Sequence, residues 1–188
     1  MLMPTRCPSG TRTPSTMRAA CQLPEEQAPV IWLTCHVTNR RPGSSARSAI
    51  GRTDPQLIDD SALNFVGLDS SDAASVDDAV TASLVIPVNR PVELRLRSKD
   101  VIHNFWVPQL RFKQDLVPGM EIKVHFTANR VGKYELACAE LCGQLHFKMR
   151  SYMLVLPEEE FQPLQAMPQE QFQAKVVELL NKYQLPTN

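Results

Sequence analysis

The sequence lacks a long apolar run. Its longest apolar stretches, such as Val30–Leu33 and Met153–Leu156, fall far short of the roughly 18–20 residues that a membrane-spanning helix needs. No apolar signal-peptide core follows Met1, because Pro, Arg, Ser and Thr interrupt every window there. The sequence therefore predicts no transmembrane segment.

The chain also lacks a net charge. The 20 basic and 20 acidic side chains cancel to a formal net charge of +0. A neutral chain has no long-range field that would attract nucleic acid or an anionic membrane, so we expect no nucleic-acid partner. At 188 residues the chain has room for one core of ordinary size plus tails.

Residues 1–52 lack Lys, Phe and Tyr but contain seven Arg and six Pro. A segment that buries little apolar surface cannot offset its chain entropy, so this composition favours an unstructured tail. A basic, Ser-rich targeting peptide is a second interpretation. A third is a mis-annotated stretch of the gene, translated from a wrong frame or start. Residues 53–79 form an acidic connector rich in turn-forming residues.

Residues 80–157 show the every-second-residue alternation of half-buried strands, with turn signals between the runs. The alternating runs are 83–88, 92–97, 121–126, 134–138 and 152–156. In residues 158–188, Phe172, Val176, Leu179 and Tyr183 recur at the spacing of one helix face. The pattern predicts an all-β sandwich or small barrel, followed by a C-terminal helix.

A cluster of soft metal ligands lies near the end of the β segment. Cys138, Cys142, His146 and Met149 fall within twelve residues, and His103 lies upstream in SKDVIHNFW. Thiolate, thioether and imidazole donors are those of copper electron-transfer sites, and the methionine argues against zinc. A mononuclear copper site leaves one thiolate unused, whereas two thiolates can bridge two copper ions.

The spacing of these ligands would also place them on one face of an α-helix. The flanking runs YELAC and MRSYMLVLP are strand-like, so we predict a loop between two strands, with Gly143 permitting a tight backbone. Phe105 and Trp106 are expected to shield the site as core residues. His125 alternates out of phase with its apolar neighbours, so we expect it to face solvent.

The segment from about Val80 to Pro157 resembles the copper domain of cytochrome c oxidase subunit II. The resemblance rests on SKDVIHNFWVP, KQDLVPG, VGKYELACAELCG and the closing His146 and Met149. It implies a cupredoxin-like Greek-key β-sandwich with a dinuclear Cu-A centre. One copper would be held by His103, Cys138, Cys142 and Met149; the other by both cysteines, His146 and the Glu140 carbonyl.

The resemblance also implies partners. Electrons would arrive from cytochrome c or a similar donor and pass to a haem of the catalytic subunit I, which reduces O2 to water. The chain would be a subunit without the catalytic site, on the outer, periplasmic face of a bacterial-type energy-transducing membrane. A partner, or N-terminal helices not visible in this sequence, would attach it there. The Glu140 side chain would be a magnesium ligand at the subunit interface.

Two other functions compete with this one. The first is a stand-alone soluble copper electron carrier or a copper-handling protein with exchangeable ligands. The second is the copper domain of a nitrous oxide reductase, but the large propeller domain of such an enzyme does not fit within 188 residues.

Overall fold

The computed structural model describes two strands near the start of the chain and residues 52–57, 59, 64, 67–75, 78–165 and 167–185. The strands within this part are β1 (Thr16–Arg18), β2 (Ile31–Val37), β3 (Leu84–Pro87), β4 (Pro91–Ser98), β5 (His103–Val107), β6 (Phe112–Leu116), β7 (Ile122–Thr127), β8 (Gly132–Ala137) and β9 (Arg150–Leu156). Two helices follow, α1 (Glu158–Gln165) and α2 (Gln169–Lys182).

The strands form two sheets that enclose one core. The first sheet has the order β1-β2-β4-β7, and the second has the order β3-β9-β8-β5-β6. All neighbouring strands are antiparallel except β3 and β9, which are parallel. In β4 the alternation predicted from sequence is observed, because Val92, Leu94 and Leu96 are buried in the core. The architecture confirms the predicted cupredoxin-like Greek-key sandwich with a C-terminal helix.

The helices pack against the second sheet, where the Lys133 side chain of β8 donates to the Leu180 carbonyl of α2. Four consecutive β9 residues, Met153–Leu156, are buried, so both faces of this strand are covered. The helix residues predicted to share one face pack as expected, with Phe172, Val176 and Leu179 buried and Tyr183 partly buried against the core. The sequence did not predict α1, which contains Pro163.

Two strands lie inside the segment for which the sequence predicts no packed core. β2 pairs with β4 along its whole length, from Ile31 opposite Ser98 to Val37 opposite Val92. The strand thus extends the first sheet at β4. Most of residues 1–51 lie outside the described part of the chain, so the interpretation of that segment, and the domain boundaries proposed above, stay predictions.

The connector is described in part. Arg52 donates to the Asp69 carboxylate at 2.6 Å, and Ser71 donates to the same carboxylate through its hydroxyl and its amide. The hydrogen bond from the Ser71 hydroxyl, and then those from Arg52 and the Ser71 amide, lower the pKa of Asp69 to about 2. Neither α1 nor α2, the helices of the described residues, has the length and apolar character needed to cross a bilayer.

Candidate metal centre

The loop between β8 and β9 carries most of the predicted ligands. Both of its ends are fixed by the sheet, because Ala137 lies opposite Arg150 and the Cys138 amide donates to the Met149 carbonyl at 3.0 Å. Within it, His146–Lys148 forms a single 3-10 turn. The predicted loop between two strands is therefore confirmed, and its flexibility is limited by the paired strands at its base.

His103 is the first residue of β5 and lies beside this loop. β5 runs antiparallel to β8, with Trp106 opposite Ala137. If this antiparallel register continues beyond Ala137, the residues that follow Ala137 lie beside His103. This pairing explains why a residue far upstream in sequence meets the loop, and the His103 side chain is fully buried there.

The sulfur and nitrogen atoms of the predicted ligands converge. The two cysteine Sγ atoms are 3.8 Å apart, and the His103 Nδ1 atom is 4.0 Å from the Cys138 Sγ. On the other side, the Cys142 Sγ is 3.4 Å from the His146 Nδ1 and 3.2 Å from the Met149 Sδ. The cysteine pair is therefore flanked by one histidine on each side.

Glu140 contributes its backbone to this cluster. Its carbonyl oxygen lies 3.2 Å from the Cys138 Sγ, whereas the residue as a whole is exposed. The structure thus brings together all six residues that the sequence singled out. They are His103, Cys138, Glu140, Cys142, His146 and Met149.

Burial shapes the electrostatics of the cluster. Cys138 and Met149 are each 8% exposed, and Cys142 and His146 are half-buried. Burial, and then the neighbouring Cys138 sulfur, raise the pKa of the Cys142 thiol. Two thiolates cannot lie this close in a low-dielectric site without a cation between them, because their charges repel each other.

Sequence reasoning missed Asp100. Its Oδ1 atom is 2.7 Å from the His103 Nε2, on the side of the ring opposite Cys138. Burial raises the pKa of Asp100, but the hydrogen bonds from His103 and from the Val101 amide outweigh it, so the pKa is lowered overall. The available signal was a carboxylate three residues before the predicted ligand, within SKDVIHNFW.

The neighbouring residues behave largely as expected. Phe105 is buried at 1% exposure, which confirms it as core, and Trp106 is half-buried. His125 is exposed, as predicted, and its Nε2 lies 2.9 Å from the Glu93 carboxylate. Two large apolar side chains of the ligand loop, Leu141 and Phe147, are 83% and 76% exposed.

The donor chemistry fits copper. The ligand atoms of His103, Cys138 and Cys142 lie within 4.8 Å of one another. Among the described residues no Asp or Glu joins such a group, so the site offers no hard oxygen donor from a carboxylate. A thioether sulfur beside thiol and imidazole donors is a set that favours copper over magnesium, calcium or hydrolytic zinc.

Fold and site together define a cupredoxin-like domain in which soft donor atoms converge at a candidate metal site. Comparison with protein families then gives the family: residues 54–156 match the model of cytochrome C oxidase subunit II, periplasmic domain. The chain belongs to this family.

Curated relatives carry the same family name. The chain is 39% identical over 124 residues to the alternative cytochrome c oxidase subunit 2 of Bradyrhizobium diazoefficiens, covering 65% of this chain and 43% of that protein. It is 48% identical over 83 residues to cytochrome c oxidase subunit 2 of Thermostichus vulcanus, covering 44% and 25%. The chain thus spans less than half the length of these relatives.

A solved structure of the same family is also similar. The periplasmic domain of subunit II of cytochrome oxidase of Bradyrhizobium japonicum aligns over 86% of this chain and 98% of its own. The TM-score is 0.48 and the sequence identity 21%.

Proposed function

We propose that this chain is the electron-entry subunit of a haem-copper terminal oxidase and holds two copper ions between its paired cysteines. The observation that supports the proposal most directly is the pair of sulfur atoms 3.8 Å apart, with His103 beside one and His146 beside the other. Family membership supports the same function.

The division of the ligands between the two coppers follows the family resemblance. The nearest contacts instead place the Met149 sulfur beside Cys142 and the Glu140 carbonyl beside Cys138. His103, both cysteines and Met149 would hold one copper, and both cysteines, His146 and the Glu140 carbonyl the other. Held by these residues, the copper pair would accept and release one electron at a time. The chain fixes these ligands before the metal arrives, because the loop is hydrogen-bonded at its base and His103 is buried at the start of a strand. A fixed ligand cage keeps the change of geometry on electron transfer small.

Burial of the site argues against an exchangeable copper-handling role. His103, Cys138 and Met149 are at most 8% exposed, whereas a delivery protein needs ligands that a partner can reach. These residues exclude water from the centre and leave His146 and the rest of the loop as the accessible side.

The exposed part of the loop is the proposed contact with the oxidase. Leu141 and Phe147 are large apolar side chains left open to solvent, and such groups frequently mark protein interfaces. We assign this side to the catalytic subunit I, on the periplasmic face of the membrane. The exposed Glu140 carboxylate would supply a magnesium ligand at that interface, and cytochrome c or a similar protein would be the donor.

Copper loading of the purified chain tests the proposal. Metal analysis should give two coppers per chain, and the paramagnetic resonance spectrum should show the seven-line pattern of one unpaired electron shared between two copper nuclei. Electron transfer from reduced cytochrome c is then measured by stopped-flow absorbance. One copper per chain with a four-line spectrum would overturn the dinuclear assignment.

A further inference from the structure

The His103 ring is held at both of its nitrogens. Nδ1 faces the Cys138 sulfur at 4.0 Å, and Nε2 lies 2.7 Å from the Asp100 carboxylate. The His103 side chain has no solvent exposure. Its orientation therefore depends on the two groups at its edges, not on water.

Asp100 is itself held by the turn between β4 and β5. The Val101 amide donates to its carboxylate, and the Ser98 hydroxyl, at the end of β4, donates to the Val101 carbonyl. The carboxylate thus has a fixed position on the side of the ring away from the cysteines, although the Asp100 side chain is 43% exposed.

The hydrogen bond fixes which ring nitrogen is free. An ionised carboxylate only accepts hydrogen bonds, so Nε2 must carry the proton, and the lone pair of the neutral ring then lies on Nδ1, towards the sulfur atoms. A carboxylate hydrogen-bonded to the far nitrogen of a metal-binding histidine also makes the ring a stronger donor to the metal.

We propose that Asp100 is a positioning residue of the copper centre. It sets the orientation and proton placement of His103 and lowers the reduction potential of the bound copper, since the stronger donor and the nearby negative charge both favour the oxidised form. This inference rests on the proposed copper function, and its test must separate the two.

The chain offers a matched control. Glu93 and His125 form a second carboxylate–histidine pair, with 2.9 Å between Oε2 and Nε2, in the first sheet and on an exposed histidine. Asp100→Ala is compared with Glu93→Ala, and Asp100→Asn with Glu93→Gln. Each comparison makes the same chemical change at Asp100 and at Glu93. Only the Asp100 carboxylate contacts a predicted ligand.

The first measurement needs no copper. In the metal-free full chain, the Nε2 proton of His103 should give a downfield NMR signal that exchanges slowly with water. Asp100→Ala should lose this signal through exchange, Asp100→Asn should move it upfield, and the Glu93 variants should leave it unchanged. An unchanged signal in both Asp100 variants would overturn the inference, whatever the protein binds.

The second measurement uses the copper-loaded chain. Asp100→Ala should bind copper about 10- to 100-fold more weakly in competition with a chelator, as is usual when the partner of a metal-binding histidine is lost. Asp100→Asn retains an oxygen that accepts from Nε2, so it should recover most of the affinity while its reduction potential stays above that of the unsubstituted chain.

The outcomes are distinct. If the unsubstituted chain binds no copper pair, the proposed function fails, and the NMR comparison still decides whether Asp100 positions His103. If it binds two coppers and neither Asp100 variant changes the affinity or the potential, the inference about Asp100 is wrong. If Asp100→Ala does not fold, the test rests on Asp100→Asn. A reduction potential of copper-loaded Asp100→Asn equal to that of the unsubstituted chain would also contradict the inference.

Discussion

The two sheets of the sandwich each hold a histidine paired with a carboxylate, in opposite surroundings. His103 on the second sheet is fully buried and meets two thiols, whereas 66% of the His125 side chain on the first sheet is exposed. The local hydrogen bond is nearly the same in both pairs, at 2.7 and 2.9 Å. What distinguishes the candidate metal centre is thus the convergence of several soft donors around a buried ring.

Removal of one thiolate should separate the two histidine–carboxylate pairs most clearly. Cys142→Ser should abolish the two-copper stoichiometry. The proposed site needs two thiolates to bridge the two ions, and only Cys138 would remain. His125→Ala, on the other sheet, should retain two coppers per chain. Metal analysis of both variants measures the difference, and two coppers in Cys142→Ser would contradict the ligand assignment.

A second comparison concerns two phenylalanines near the predicted histidine ligands. Phe105 is 1% exposed and Phe147 is 76% exposed. Phe105→Ala should lower the free energy of unfolding by about 3–5 kcal/mol, because it opens a cavity in the core. Phe147→Ala should change it by less than about 0.5 kcal/mol. Urea denaturation of the metal-free protein measures both, and equal losses would show that the burial is misjudged.

A substitution at Gly143 probes the backbone conformation of the ligand loop without changing its side-chain packing. Its φ is +131°, and a Cβ atom added there would have no neighbour within 4 Å. Gly143→Ala therefore introduces no clash, only a backbone conformation that other residues rarely adopt, which we expect to cost about 1–3 kcal/mol. Thermal unfolding of the metal-free chain is the measurement. An unchanged midpoint would mean that the loop relaxes to another conformation.

The last prediction concerns the Glu93–His125 pair of the first sheet, whose small contribution to stability should depend on pH. Burial raises the pKa of Glu93, but hydrogen bonds from Arg95 and His125 outweigh it, so the pKa lies below its ordinary value of 4.5. Its contribution to stability is therefore present above pH 4.5 and is lost as the pH falls through the lowered pKa.

The corresponding variant is Glu93→Gln. The unsubstituted chain should be more stable than Glu93→Gln at pH 7, by less than about 1 kcal/mol, as is usual for pairs near the surface. The advantage should vanish at low pH. Urea denaturation at a series of pH values checks this, and a difference that grows on acidification would have the wrong sign.

The sequence predicted the ligand loop because its signals are local. Cysteine, histidine and methionine are rare residues, and the strands at both ends of the loop have clear alternation. β6 was missed, although Phe112, Gln114 and Leu116 alternate inward, because a polar residue in the middle weakens the pattern. α1 was missed because Pro163 argues against a helix, whereas the burial of Phe161 and Leu164 stabilises it in the fold.

Other features depend on contacts between distant residues and could not be predicted from local patterns. The composition around IWLTCHV indicated no packed core, yet β2 forms along β4 because that strand offers backbone hydrogen bonds over seven residue pairs. The role of Asp100 likewise depends on the direction of a buried ring, which sequence alone does not determine.

The parallel pairing of β3 with β9 affects the order in which the molecule can fold. Leu84 meets Met153, and Pro87 meets Leu156, so the second sheet closes only after almost the whole domain has been synthesised. Contacts of such long sequence separation form slowly, because the intervening chain must first lose its entropy. The strand that follows the ligand loop is the one that makes this closure. During synthesis the candidate ligands therefore come together late, and the unassembled cysteines remain open to oxidation until the last strand is in place.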